Sequence, residues 1–166
     1  MRRILIILAG FAIASVAPED SLSGQSASAS LSVSAIVSKN CTITTAPVVF
    51  GNYSVTANAT APLDGTGTVK VACTKGAPVK VGLDSGSHAQ GATRRMGVGT
   101  DDYLTYELYQ DTAHAIVWGN TADTVLDIPA APDQNPRNFS VYGRVAPAQT
   151  AGAGNYTDTV TATVNF

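Results

Sequence analysis

Two cysteines, Cys41 and Cys73, are the residues whose type and number most directly imply chemistry. An even number of cysteines behind an N-terminal export signal is typical of a disulfide. Such a bond would close a loop of about 32 residues and stabilise the fold by about 3–4 kcal/mol in the chain-entropy view. The alternative is a metal site, which two separate cysteines without a CxxC pair or a nearby histidine support poorly.

The remaining residues capable of catalysis or metal binding form no recognisable pattern. His88 lies in a glycine-rich segment and His114 near a turn, and neither has a patterned serine or cysteine nucleophile. Asp84, Asp101 and Asp102 lack EF-hand spacing, which favours solvated turn carboxylates over a cation site. We therefore expect no catalytic residue, metal, cofactor or small-molecule substrate, with a hydrolase kept as a minor alternative.

The first residues have the pattern of an export signal. Arg2 and Arg3 precede an apolar stretch at 4–17 that is short for a membrane span. Ala27-Ser28-Ala29 has the small-x-small pattern of a cleavage site, which predicts a signal peptide at 1–29. An uncleaved membrane anchor is the alternative.

Composition limits the class of the secreted part. The chain has 166 residues and a net charge of −2, which argues against nucleic acid as a partner. Few charges with many small and β-branched residues indicate a β-rich extracytoplasmic protein. About 140 residues remain after the signal, the size of one domain.

Apolar residues alternate with polar ones over short runs separated by Gly, Pro, Asn and Asp. A period of two is the pattern of a strand with one buried face, and this spacing predicts antiparallel sheets packed as a sandwich. The glycine-rich stretch 87–101 is predicted to be a mobile loop. The predicted strands are 48–50, 67–73, 79–83, 104–109, 115–118, 139–145 and 157–166.

Both ends of the secreted part have a face to bury. Near the N-terminus, serines at 30, 32 and 34 alternate with an apolar series, and a second apolar series leads to the last residue, Phe166, which we expect to point into the core. An apolar-faced strand at a chain end must join a sheet, either in its own domain as an ordinary first strand or in a neighbour's. The first series is Leu31, Val33, Ala35 and Val37, and the second is Val160, Ala162, Val164 and Phe166.

Several segments, in this order and spacing, resemble the spore coat U domain family, which is shared by a bacterial spore coat protein and by pilin subunits of archaic (Csu-type) chaperone–usher pili. The resemblance covers about residues 30–166, and the ending 154–160 is its strongest part. The matching segments are Phe50-Gly51-Asn52-Tyr53, Gly67-Thr68-Val69, Cys73-Thr74, Gly82-Leu83-Asp84-Ser85-Gly86, Arg95-Met96, Leu104-Thr105-Tyr106-Glu107-Leu108-Tyr109, Trp118-Gly119, Val141-Tyr142-Gly143-Arg144-Val145 and Gly154-Asn155-Tyr156-Thr157-Asp158-Thr159-Val160.

This resemblance implies an all-β, incomplete immunoglobulin-like (pilin-type) sandwich with one disulfide, completed by a donor strand. It implies a donor strand at 30–38, carrying the first apolar series, and a domain at 39–166 whose groove is bordered by the second. The implied partners are a periplasmic pilus chaperone, an outer-membrane usher and neighbouring pilin subunits, and the implied location is a pilus at the cell surface, reached through the periplasm. The expected function is that of a shaft or adaptor pilin that polymerises by donor-strand exchange in cell adhesion and biofilm formation. The alternative is a non-polymeric secreted coat protein or ligand-binding module with a self-completed sandwich.

Overall fold

The computed structural model describes residues 24–166, which form eight β-strands and a short 3₁₀ turn at Ala57–Ala59. The chain divides into two compact units between Ala35 and Ile36. Residues 24–35 carry neither helix nor strand and are exposed. All the described strands belong to the second unit: β1 Cys41–Val49, β2 Leu63–Cys73, β3 Val79–Leu83, β4 Arg94–Val98, β5 Asp102–Tyr109, β6 Leu126–Ile128, β7 Arg137–Val145 and β8 Ala162–Asn165.

The strands form two antiparallel sheets. The larger sheet has the order β1-β2-β7-β5-β4, and the smaller has the order β6-β3-β8. The chain therefore crosses between sheets several times, and β1 and β8, which lie far apart in sequence, each end a sheet at one side. The predicted all-β, two-sheet architecture is confirmed.

Alternation along the strands places the core between the sheets. In β2, Val69 and Val71 are buried whereas Lys70 between them is exposed, as a half-buried strand requires. Trp118 is fully buried, and its indole N–H donates to the carbonyl of Val81 at 2.9 Å. That bond satisfies the only polar atom of the largest core side chain.

Four predicted strands are confirmed, with β3 at its predicted bounds and β2, β5 and β7 longer than predicted. The predicted strand at 115–118 is wrong: the Asp111 carboxylate accepts from the N–H groups of Ala115 and Ile116 and closes a turn, so only Val117 forms a bridge, to Tyr109. The predicted loop at 87–101 is also wrong, because it contains β4. Strand β1 begins seven residues before the predicted 48–50, and β8 covers only part of 157–166.

Residues 30–37, where the sequence alternates most regularly, carry no strand in this structure. A single strand gains no ladder hydrogen bonds until it meets a sheet, so the pattern alone does not define an element here. The predicted signal peptide at 1–29 lies mostly outside the described residues. Within 24–166, no helix is long and apolar enough to cross a membrane.

Candidate functional site: a cleft between two sheet edges

Strands β1 and β8 each pair with a neighbour on one side. We call the other side their outer edge: the side of β1 away from β2, and the side of β8 away from β3. Among residues 24–166, no strand pairs with either outer edge. Because β1 and β8 nevertheless lie near each other, their outer edges border the same opening into the core.

Backbone hydrogen bonds show which residues of the last segment point to the outer edge. Asp84 and Ser87 donate their N–H groups to the carbonyls of Thr161 and Thr159, both at 3.1 Å, on the β3 side. Successive residues of a strand direct their backbone groups to opposite edges. The residues that alternate with Thr159, Thr161 and Thr163 therefore present their N–H and C=O groups to the outer edge, while their side chains pack on the core. They are Val160, Ala162 and Val164.

Strand β1 is organised in the same way. Its pairing with β2 continues at Asn40, whose carbonyl accepts from Thr74 N–H at 2.9 Å, so even-numbered residues face β2. Cys41 and Ile43 then direct their backbone groups to the outer edge, and their side chains pack against the core. The predicted disulfide is present: Cys41 and Cys73 lie directly opposite each other in the ladder, with Cα atoms 4.1 Å apart. It fastens β1 to β2 at the start of this edge.

An open cleft of about 440 Å³, which we call the edge cleft, lies between the outer edges. Its apolar lining includes core side chains from both sheets, so unlike an ordinary surface groove it opens onto the core. The edge cleft shares Val48, Phe50, Met96, Tyr156 and Thr157 with a larger opening of about 910 Å³ toward residues 151–157. Its residues are Thr45, Ala46, Pro47, Val48, Phe50, Thr68, Val69, Leu83, Met96, Tyr106, Leu108, Val141, Tyr156, Thr157, Asp158, Thr159, Val160 and Ala162.

The Asp84 carboxylate holds the segment that leads into β8. Its Oδ1 accepts from Thr161 N–H at 2.9 Å and from Gly86 N–H at 3.0 Å. Burial would raise the pKa of Asp84, but these two N–H groups and nearby Arg94 outweigh it and hold the pKa below its ordinary value. From the sequence alone, Asp84 is predicted to be a solvated turn carboxylate. In the structure it is half-buried and positions one side of the edge cleft.

A second carboxylate, Asp158, fixes the mouth of the edge cleft. Its side chain is buried and accepts from the N–H of His88 at 3.1 Å and the hydroxyl of Tyr106 at 2.7 Å. The His88 ring Nδ1 also lies 3.1 Å from this carboxylate. Burial and the adjacent carboxylate raise the pKa of Tyr106, which keeps its hydroxyl a donor. Gly86, at φ +85°, is required because a Cβ there would lie 2.0 Å from the Asp158 carboxylate.

The residues of the predicted donor strand are strongly exposed. Leu31 and Val33 are each 87% exposed and Val37 is 81% exposed; Ala35 is exposed as well. Exposed large apolar side chains at alternate positions need a partner surface to be buried. Their role as donor residues stays a prediction.

The predicted groove-edge residues divide into two groups. Val160, Ala162 and Val164 are partly buried against the core beside the edge cleft. Phe166 is 54% exposed, so the expectation that it points into the core is wrong for the chain by itself. It follows Asn165, the last residue of β8 paired with β3, and its ring therefore lies past the end of the ladder.

The other polar candidates have structural contacts. His114 lies edge-on to the ring of Tyr109, with Nε2 3.9 Å from Asp64, and Asp102 accepts from Gly152 N–H at 2.7 Å. No group of three His, Cys, Asp or Glu side chains suited to a metal occurs among residues 24–166. Sequence reasoning missed Asp158 and His88 as a pair, because 70 residues separate them.

The domain is therefore a disulfide-bonded β-sandwich that is open between two sheet edges. The chain belongs to the Spore Coat Protein U domain family, whose profile matches residues 27–163. It is 39% identical over 127 residues to Protein U of Myxococcus xanthus, an alignment that covers 70% of each chain. The family resemblance predicted from the sequence is thereby confirmed.

The fold also resembles a chain in the crystal structure of the CsuC–CsuE chaperone–tip adhesion subunit pre-assembly complex from archaic chaperone–usher Csu pili of Acinetobacter baumannii. The TM-score is 0.57 at 20% identity, over 78% of the present chain. The present chain spans 40% of the length of that solved chain. At this identity the likeness concerns the fold.

Proposed function

We propose that this protein is a secreted structural subunit of a chaperone–usher pilus and that it polymerises by donor-strand exchange. In this proposal residues 1–29 are the signal peptide, 30–38 the donor strand and 39–166 the acceptor domain. The chain acts as a shaft or adaptor subunit, without catalysis, and the fibre supports cell adhesion and biofilm formation.

One observation carries the proposal: the outer edges of β1 and β8 flank an apolar cleft, and the same chain exposes a short apolar-faced segment. A strand laid in the edge cleft would meet the backbone groups of Val160 and Ala162 on one side and those of Thr45 on the other. Extended along the same outer edges beyond the cleft, it would reach Val164 of β8 and Cys41 and Ile43 of β1. Backbone bonds then supply affinity, and alternate side chains in the cleft set the register. Leu31, Val33 and Val37 would become buried in the next subunit.

The burial is large enough to drive assembly. Burying a Leu or Val side chain contributes about 1.5–3 kcal/mol, so the three exposed side chains Leu31, Val33 and Val37 contribute about 5–9 kcal/mol before the cost of ordering the segment. Serines at 30, 32 and 34 would face outward in the same strand. Occupation of the edge cleft would also give the partly buried side chains of β8 the neighbours that a complete sandwich supplies.

The proposed partners are proteins that would cover the apolar cleft before assembly. An exposed apolar cleft and open sheet edges promote aggregation, so we propose a periplasmic chaperone that occupies the edge cleft until an outer-membrane usher directs exchange with the next subunit. The solved chaperone–tip adhesion subunit complex that contains a similar fold supports this part. Assembly would place the chain at the cell surface.

The test compares two substitutions in adjacent donor residues. Val33→Asp introduces a charge on the face that would enter the cleft, whereas Ser32→Asp introduces the same charge on the opposite face. The secreted form of each variant is refolded with its disulfide intact and analysed by gel filtration and unboiled SDS gels. We expect ladders of denaturant-resistant polymers from the wild type and Ser32→Asp, and monomers from Val33→Asp. Polymers formed equally by Val33→Asp would contradict the donor assignment.

A second candidate is a non-polymeric coat protein, favoured by the 39% identity to Protein U over 70% of both chains. In that case the sandwich would be closed by its own strand. A stable wild-type monomer at all concentrations, with residues 30–38 protected from proteolysis, would favour it over the pilus subunit.

A further inference from the structure

We propose that Thr74 holds the root of the donor segment, residues 38–40, in line with β1 and so keeps the segment out of its own cleft. Thr74 is thereby a positioning residue that favours exchange between subunits over self-closure. This inference rests on the proposed function and concerns the regulation of the same cleft.

Three hydrogen bonds define the clamp. Thr74 N–H donates to the Asn40 carbonyl at 2.9 Å, and Asn40 N–H donates to the Thr74 hydroxyl oxygen at 3.0 Å. The hydroxyl also lies 3.3 Å from the carbonyls of both Ser38 and Asn40 and donates its proton to one of them at a time. The first two bonds extend the β1–β2 ladder one residue past the disulfide, with a hydroxyl in place of the usual carbonyl acceptor.

Self-closure, in which residues 30–37 enter the cleft of their own chain, would require the root to fold back toward the outer edge of β1. A segment preceding β1 can reach the outer edge of β1 only through a hairpin, since a parallel arrangement needs a crossover of about a dozen residues. The root offers three residues, Ser38, Lys39 and Asn40, and three-residue hairpins require one residue in the left-handed conformation. Among the described non-glycine residues, positive φ occurs at His114 and Ala148. The root therefore does not adopt the hairpin.

The position of Ser38 is the clearest sign of direction. Its carbonyl lies against the Thr74 hydroxyl, on the β2 side of β1, three residues before the paired ladder begins at Cys41. A hairpin onto the outer edge would carry Ser38 to the opposite side of β1. The clamp and the hairpin are therefore mutually exclusive arrangements of the same three residues.

The hydrogen bonds of the Thr74 hydroxyl shift the equilibrium between the clamped root and the self-closed hairpin by a measurable factor. The chain's own donor segment competes with a donor from another chain for the edge cleft, at an effective concentration of about millimolar. Even a weak restraint on the root therefore changes how often the cleft is free for the external donor. One net hydrogen bond changes an equilibrium by about fivefold. Thr74→Val removes the hydroxyl and keeps the β-branched shape and the backbone bond.

The experiment measures how well the cleft accepts a donor supplied in trans. A fluorescein-labelled peptide of residues 30–38 is titrated with the full secreted chain at submicromolar concentration, and anisotropy gives its apparent Kd. The variants are Thr74→Val, its matched control Thr42→Val, and each of these combined with Val33→Asp, which disables the tethered segment. Thr42 is an exposed threonine of β1 whose hydroxyl contacts only the Ala72 carbonyl, at 3.5 Å, among the described residues.

We expect Thr74→Val to raise the apparent Kd about fivefold, Thr42→Val to leave it within about twofold, and Val33→Asp to restore wild-type binding in the Thr74→Val background. Restored binding would show that the raised Kd of Thr74→Val comes from competition by the chain's own donor segment, because a damaged fold would not be repaired by Val33→Asp. Equal Kd values for wild type and Thr74→Val, or a loss that Val33→Asp does not restore, would overturn the clamp. If Val33→Asp alone binds no peptide, the proposed donor-strand function is itself wrong.

Discussion

Replacing the buried Arg94 should destabilise the sandwich far more than replacing its neighbour. The Arg94 side chain is 4% exposed and its guanidinium donates to the carbonyls of Leu83, Asp84 and Trp118 at 2.7–2.9 Å. It also pairs with Glu107. Arg94 thus ties β4 to the end of β3, where Asp84 holds the segment before β8. Arg94→Met would leave the three carbonyls without their donor.

The magnitude follows from these contacts. Removing one member of a buried ion pair costs about 3–5 kcal/mol, and because the Glu107 side chain is 31% exposed, water can replace part of its interaction. We therefore expect a loss of about 3–4 kcal/mol in the free energy of unfolding. With a urea m-value of about 2 kcal/mol/M, the midpoint should fall by about 1.5–2 M.

The assay is urea unfolding followed by tryptophan fluorescence, because Trp118 lies in the core next to this site. Measurements use the Val33→Asp background so that polymerisation does not interfere. Arg95→Met is the matched control: the Arg95 guanidinium stacks 4.1 Å above the Tyr103 ring and is less buried, so its loss should move the midpoint by less than about 0.5 M. A midpoint shift for Arg94→Met no larger than that of Arg95→Met would refute the role of Arg94 in tying β4 to the end of β3.

Two further predictions concern the borders of the cleft. Replacing Cys41 and Cys73 together by alanine should lower the free energy of unfolding by about 3–4 kcal/mol, measured in the same urea assay; a loss below about 1 kcal/mol would mean that the β1–β2 ladder holds this edge without the bond. The second concerns pH: since the pKa of Asp84 is lowered in the folded state, its charge contributes stability that is fully present above the unfolded value of about 3.9 and is lost as pH falls through the folded value. Asp84→Asn should therefore differ most from wild type above about pH 4 and converge with it below. Unfolding midpoints between about pH 6 and 2, with Asp101→Asn as a control in an exposed turn, test this; a gap that widens toward low pH would contradict it.

How far the sequence predicts this fold depends on whether each strand obeys simple alternation. Strand β3 was predicted at its bounds because Val79, Val81 and Leu83 are all buried apolar residues. Strand β4 was missed because its buried positions are Arg94 and Gly97. An arginine is typical of a loop unless the three carbonyls that accept from it are known, and glycine carries no apolar side chain. The turn closed by Asp111 likewise depends on a side-chain bond that apolar patterning does not register.

The edge cleft itself could be predicted only in part. The alternation at Val160, Ala162 and Val164 correctly indicated a strand face packed on the core. Which edge of that strand lacks a partner is a property of the strand order, and the order depends on pairings between residues distant in sequence. The same holds for Asp84 and Asp158, whose roles come from N–H groups and hydroxyls that only the fold brings to them.

Open sheet edges normally invite pairing with any extended chain, so a subunit built on them needs a restriction on what can bind. Strand β1 supplies one: its ladder with β2 is regular only over the six residues from Cys41 to Ala46, and the register shifts before Val49. Pro47 follows directly and has no N–H to offer a partner. On the facing side, β8 is four residues long. A long flat strand therefore cannot continue its pairing past Pro47, whereas the short apolar series from Leu31 to Val37 matches the regular part. If the proposed donor strand pairs with this edge, the irregular end of β1 would set the length of the donor, and the cleft side chains would set its register.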